Sequence, residues 1–126
     1  MIDITQISAC ALAYLGDSVL EALIRERLIY KGFEKSSMLN KEALNYVTAV
    51  NQSKAFLIIE NMLTDEERAV FRRGKNSSHL NIPKSASALE YKNATGFEAV
   101  FGYLRLKKDE ERILTLFNIA YPELNI

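Results

Sequence analysis

The stretch Ile7-Ser-Ala-Cys-Ala-Leu-Ala-Tyr-Leu-Gly-Asp-Ser-Val-Leu-Glu-Ala-Leu-Ile24, continuing to Tyr30, decides the class of this fold. Leu12, Leu15, Val19 and Leu23 recur every three or four residues, with Leu20, Ile24 and Leu28 beside them. That is the spacing of one buried helical face, and period-2 alternation is scarce in the chain. Gly16 reads as an interruption that divides a short helix from a longer one, and Gly32 as a C-terminal stop. Outward from here the helical period persists. One helix is expected from about Ser37 with Leu39, Ala43, Leu44 and Val47, and another from Asn51 to Leu63 with Ala55, Phe56, Ile58, Ile59 and Met62. Thr64 and Glu67 match a capping box, opening a helix that runs to Arg73 and ends at Gly74. Residues 74–85 have no period and read as a loop. Helices from Ser87 to Leu106 and from Asp109, an N-cap, to Ala120 complete the chain ahead of Pro122. The expectation is an all-α fold of about seven helices in one domain spanning residues 1–126, with no repeat or linker.

Composition narrows the function classes. A chain of 126 residues is long enough to bury a real core. Five glycines and two prolines are too few for the turns of a barrel or sandwich. Cys10 is the single cysteine and His79 the single histidine, which excludes a disulfide framework, a four-cysteine zinc site and a multi-imidazole metal site. Cys10, in a small apolar run, reads as packing. The N-terminus has Asp3 and no basic region, a poor secretion signal, and Ile4–Gly16 is too short and polar to span a bilayer. A cytoplasmic protein without a membrane partner follows. The 16 basic and 16 acidic residues cancel, yet Arg72–Leu89 holds Arg72, Arg73, Lys75, Lys84 and His79 without one acid. A neutral chain can therefore present one basic loop.

Two apolar helices carry acids that need explaining. Asp17 and Glu21 are the only charges between Ile7 and Ile24, and Glu98 the only one between Ala94 and Leu104. A carboxylate among covered apolar residues must be neutralised or paired. Asp17 and Glu21 stand four apart on one face, where like charges repel. A divalent cation shared with Glu98 would relieve that, and oxygen-only ligands favour magnesium or manganese. The plainer reading, acids at the water boundary or bonded to a basic side chain, accounts for the spacing too. Ala94, Gly96, Ala99 and Gly102 around Glu98 permit close helix approach, in a core or at a dimer seam.

These residues resemble a known family. Leu12-Ala-Tyr-Leu-Gly-Asp-Ser-Val-Leu-Glu21 is similar to the signature helix of ribonuclease III nuclease domains, and Thr95-Gly-Phe-Glu-Ala-Val-Phe-Gly-Tyr-Leu104 to their second acid-bearing helix. Arg72-Arg-Gly-Lys-Asn76, with Pro83, Lys84 and Tyr91, resembles the mini-ribonuclease III branch, which lacks a double-stranded-RNA-binding domain. The resemblance implies a homodimeric, magnesium-dependent endonuclease of double-stranded RNA, with manganese as a substitute. Each subunit would cut one strand, leaving a 5′-phosphate, a 3′-hydroxyl and short 3′ overhangs. It further implies a substrate in the stem flanking bacterial 23S ribosomal RNA precursor, with a ribosomal protein or the assembling large subunit as a further partner.

Position by position, the resemblance makes Asp17 and Glu98 the catalytic metal ligands and gives Glu21 a supporting place beside them. Ala13 and Thr95 stand where longer ribonuclease III enzymes carry two further acids, a loss the mini branch shares. Fewer charges favour one tightly held metal over a fixed pair. Arg72, Arg73, Lys75, Asn76 and Lys84 are the expected RNA contacts, although Ser78 and Val50 replace lysines of the branch pattern. Tyr14, Tyr91 and Lys92 are weaker candidates, and His79 reads as a surface or phosphate-contacting residue rather than a base. The rivals are a non-catalytic double-stranded-RNA-binding or ribosome-associated domain of the same fold, a carboxylate-bridged metal bundle and a structural dimerisation module. The bundle needs Glu-x-x-His pairs, and Asn76 stands three before His79. The dimerisation module gives no reason for the acids.

Overall fold

A computed structural model describes residues 2–77 and 86–126. Six α-helices appear among them, where about seven were expected. They are α1 (Ala9–Tyr30), α2 (Ser36–Val47), α3 (Ala49–Ile59), α4 (Asp65–Ser77), α5 (Ala88–Leu106) and α6 (Glu110–Ala120). Single 3₁₀ turns occupy Ile4–Gln6, Glu60–Met62 and Pro122–Leu124. No strand occurs among the described residues.

Side chains that satisfy orphan N–H groups set the helix starts. Ser8 accepts from the Ala11 amide at 3.1 Å, and Asp109 from that of Arg112 at 3.1 Å. Thr64 and Glu67 close the expected capping box, with the Glu67 amide donating to Thr64 at 3.2 Å and the Thr64 amide to Glu67 at 2.9 Å. Ser87 and Glu90 close a second box at the start of α5. Each such cap stabilises its helix by ~1 kcal/mol. Gly32, with φ of 103°, ends α1 in the left-handed region that glycine adopts without a Cβ clash.

Two glycines expected to break helices do not. Gly16 lies in the middle of an unbroken α1, and α4 passes through Gly74 to Ser77. The cause is tertiary. A β-carbon on Gly16 would overlap the Glu98 carbonyl oxygen, and one on Gly102 would overlap that of Leu12. Gly74 packs likewise against Gly96 and Ala99, so α1 and α4 both approach α5 backbone to backbone. The numbering runs oppositely across each crossing, so both helices lie antiparallel to α5. Residues 74–77 of the expected 74–85 loop are helical, and 78–85 lie outside the described residues.

Helix α5 is the central element. Phe97, Ala99, Val100, Phe101 and Leu104 are almost completely buried against Leu12, Leu20 and Ile24 of α1, Phe56 and Ile59 of α3, Phe71 of α4 and Leu116 and Phe117 of α6. Burying each large apolar side chain contributes about 1.5–3 kcal/mol. The Phe56 and Phe71 rings stack at 4.0 Å, fastening α3 to α4. Arg27 clasps the C-terminal turn by donating to the Leu124 carbonyl at 3.0 Å and to Asn118 at 2.8 Å. Cys10, expected to pack, is exposed because it falls on the outer face of the first turn of α1.

Candidate active site

The site begins with the α1–α5 crossing. Because Gly16 sits directly against the Glu98 backbone, the next residue, Asp17, is delivered beside the Glu98 side chain. Glu98 lies between the fully buried Phe97 and Ala99, and is itself partly buried. Burial first, then the hydrogen-bonding contact and charge of Asp17, push its carboxyl up to about 9. Gln52 of α3 offers the opposing influence, a side-chain hydrogen bond that favours the ionised form. A partly buried acid of α5 thus faces an exposed acid of α1.

Glu21, one turn along α1, does not join as an equal. Its carboxylate reaches Arg25 at 3.5 Å, though its charge still bears on Glu98. Among the described residues no three Asp, Glu, His or Cys side chains converge closely enough to hold one ion. The donor set is two carboxylates, with a neutral amide behind them and no imidazole. Such a set fits a hard divalent cation that keeps much of its coordination as water. No ion pair among the described residues involves Asp17 or Glu98.

The described part of the expected basic loop, residues 72–77, is helix. Arg72, Arg73, Lys75 and Asn76 occupy the last two turns of α4, and Lys84 lies outside the described residues, as do Ser78 and His79. Arg72 and Asn76 are exposed and Lys75 is half-buried. Arg73 is engaged in the fold, its guanidinium donating to the Ile7 carbonyl. Arg68, a turn before Arg72, extends the basic face while donating to the Leu63 carbonyl at 3.2 Å. Gly74 rests against Thr95 and Gly96, so the basic end of α4 lies beside α5 one turn ahead of Glu98. Thr95 itself is satisfied, donating to the Tyr91 carbonyl at 3.0 Å. Tyr14 is 84% exposed, three residues before Asp17 on α1. Lys92 is exposed, Tyr91 half-buried and Val50 half-buried on α3.

Gln52 was missed by the sequence reading, and its signal was present. It stands three, four and seven residues before Ala55, Phe56 and Ile59, on the buried face of α3, and is only 3% exposed. A polar residue at a core position of an apolar period asks for a buried partner.

The comparisons with known proteins fit this geometry. A ribonuclease III domain family model matches residues 11–109, which include both acids. A mini-ribonuclease 3 from Streptococcus pneumoniae is 40% identical over 118 residues, 92% of either chain. The chain belongs to the mini-ribonuclease III family. A second mini-ribonuclease 3, from Enterococcus faecalis, is 38% identical over 120 residues, 94% of this chain and 91% of that one. A crystal structure of a protein from Fusobacterium nucleatum superposes with a TM-score of 0.88 at 35% identity, covering 98% of each chain. As a mini-ribonuclease III, the protein is an endoribonuclease of the ribonuclease III family, whose members act on double-stranded RNA and generally depend on divalent metals. No helix among the described residues is long and apolar enough to cross a membrane.

Proposed function

We propose that residues 1–126 form one nuclease domain, working as a homodimer in the bacterial cytoplasm, that cuts both strands of an RNA duplex with Mg2+, or Mn2+ in its place. The observation that carries this reading is the meeting of Asp17 and Glu98 across the glycine-lined crossing. Asp17 and Glu98 hold the ion, and Glu21 orients water beside them. A divalent ion bound there supplies a Lewis acid for the phosphoryl oxygens and lowers the pKa of the attacking water. The protein's own contribution is to bring the two carboxylates together from two packed helices, with Glu98 withdrawn from water.

Recognition is by shape, because the A-form major groove is too narrow for side chains to read. Arg72, Lys75 and Asn76, with Lys84, contact phosphates and 2′-hydroxyls, and Arg73 supports the surface they form. An apolar groove of about 380 Å³ between α1 and α2, lined by Ile29, Leu39, Ala43 and Leu44, supports a dimer built on the helix that carries Asp17. The duplex that this reading favours is the stem flanking 23S ribosomal RNA precursor, presented on the assembling large subunit or by a ribosomal protein.

The test is incubation with a long labelled RNA duplex, with and without Mg2+, beside Asp17→Asn. Double-strand cuts that need Mg2+ and vanish in the variant are expected. Binding without cleavage across several duplexes, with Mn2+ as well, would leave a non-catalytic RNA-binding domain.

A further inference from the structure

We infer that the cavity between α3 and α4 is a phosphate cup, in which Arg68, Arg72 and Lys75 jointly hold one phosphodiester of the RNA backbone. The cup stands on its own geometry, and the RNA origin of its phosphate rests on the reading above. The cavity measures about 240 Å³, and the three cations line it together with Glu60, Phe56 and Phe71. Residues 68, 72 and 75 are four and three apart on α4, so one helical face carries all three charges. Among the described residues none of the three forms an ion pair. Arg68 donates to the Leu63 carbonyl at 3.2 Å, a bond that fixes the guanidinium without neutralising it. Arg68 and Lys75 are half-buried, and Arg72 is exposed at the rim.

Ordinary helix electrostatics do not account for this arrangement. Like charges four apart on a helix repel. Arg68 is also the fourth residue of α4, near the end where the helix dipole favours anions. It is disfavoured on both counts until an anion joins the face. The surroundings strengthen that attraction. The Phe56 and Phe71 rings, buried and stacked at 4.0 Å, give the cavity an apolar floor. Walls of low dielectric bearing mostly one sign of charge focus the field into a cleft. Guanidinium forks match the oxygens of a phosphate, and Lys75 adds a point charge. Phe71 rests against Gly96, two residues before Glu98, so the cup is fixed to the helix that bears the acid. A backbone phosphate held there takes a set place relative to the carboxylates that cut. Glu60 faces the same cavity and repels that phosphate, which supplies an independent handle on the site.

The experiment measures binding of a long RNA duplex to the full-length chain over a range of salt, in EDTA so that no strand is cut. Arg68→Gln is expected to lower the slope of log affinity against log salt by about 1. Lys75→Gln, which leaves the Leu63 contact intact, is expected to do the same and guards against a misfolded Arg68 variant. Because one phosphate is shared, the triple variant Arg68→Gln, Arg72→Gln, Lys75→Gln is also expected to lose about 1, rather than about 3. Glu60→Gln is expected to tighten binding by roughly 2–5-fold, the scale of one exposed charge interaction and a gain that misfolding does not produce. Thermal unfolding in inorganic phosphate, against chloride of equal ionic strength, separates the two sources of phosphate. A slope unchanged in Arg68→Gln and Lys75→Gln but lowered in Arg72→Ala would overturn the cup and leave the RNA face of α4 standing. No change in any of the three, with binding intact, would overturn that face as well. A Tm raised by inorganic phosphate only while Arg68 is present, with the RNA slope unmoved, would overturn the RNA origin and leave a site for free phosphate. A loss of about 3 in the triple variant would mean separate contacts and overturn the shared phosphate.

Discussion

Two carboxylates are drawn into this protein, and they are treated in opposite ways. Glu67, at the start of α4, has a buried side chain, yet it is fully answered. The Arg112 guanidinium donates to it at 2.9 and 2.8 Å, and the Thr64 amide adds a third bond at 2.9 Å. Burial alone would raise its pKa, but the Arg112 and Thr64 bonds outweigh burial and hold it below the ordinary carboxylate range. Glu98 has an acid for a neighbour and an amide behind it, and is pushed up to about 9. One acid is answered by a cation of the fold and the other is not. That contrast is the ground on which Glu98 is proposed as part of the active site.

The comparison can be broken most severely at the acids. Asp17→Asn or Glu98→Gln should lower the cleavage rate by roughly 10²–10³-fold or more, the scale seen when one electrostatic stabiliser of a transition state is removed. RNA affinity and helical circular dichroism should persist in both. A Glu98→Gln protein that cleaves normally would show that the unresolved acid has no part in the chemistry.

Arg112→Ala probes the other side, stranding Glu67 without its partner. Full burial of such a pair would cost 3–5 kcal/mol, and the remaining exposure of Arg112 brings this to about 2–4 kcal/mol. Chemical denaturation should show it with cleavage per folded molecule unchanged. A loss below about 0.5 kcal/mol would mean that water serves Glu67 as well as arginine does.

The pH dependence separates the two acids by sign. A folded-state pKa below the ordinary range means that Glu67 contributes stability above that range and loses it as pH falls through it. Glu98 runs the other way. The folded, metal-free protein keeps a proton that the unfolded chain releases, so stability falls as pH rises from the ordinary carboxylate range toward about 9. Glu98→Gln should flatten that fall and make the metal-free protein more stable at pH 8 by on the order of 1–2 kcal/mol, roughly 3–8 °C in Tm. Equal Tm values at pH 8 would place the Glu98 carboxyl in better-hydrated surroundings than the crossing provides.

The smallest effect belongs to the basic end of α4. Arg72→Ala should weaken binding similarly across duplex sequences and reduce the salt slope by about 1, as expected for one phosphate contact. An unchanged slope would remove Arg72 from the RNA surface.

How much of this was legible in the sequence depends on the range of the interaction concerned. Asp17 and Glu98 stood out because isolation in an apolar run is a local property, and the caps at Thr64 and Asp109 are read over three residues. Gly16 and Gly74 were misread as breaks. Low helix propensity is local, whereas their purpose is approach to backbones more than twenty residues away. The Glu67–Arg112 pair spans 45 residues and leaves no local trace. Gln52 was legible as a polar residue on a buried period, but its partner was not. The helical setting of Lys75 and Asn76, expected in a loop, was lost to the same glycine.

The most direct measurement is thermal unfolding at pH 8 with and without Mg2+, for the natural chain and Glu98→Gln. Mg2+ should raise the Tm of the natural chain by several degrees, because binding stabilises the folded state by mass action, and should leave the variant almost unmoved. Equal shifts in both would contradict the account, placing the ion elsewhere and leaving Glu98 buried without a purpose.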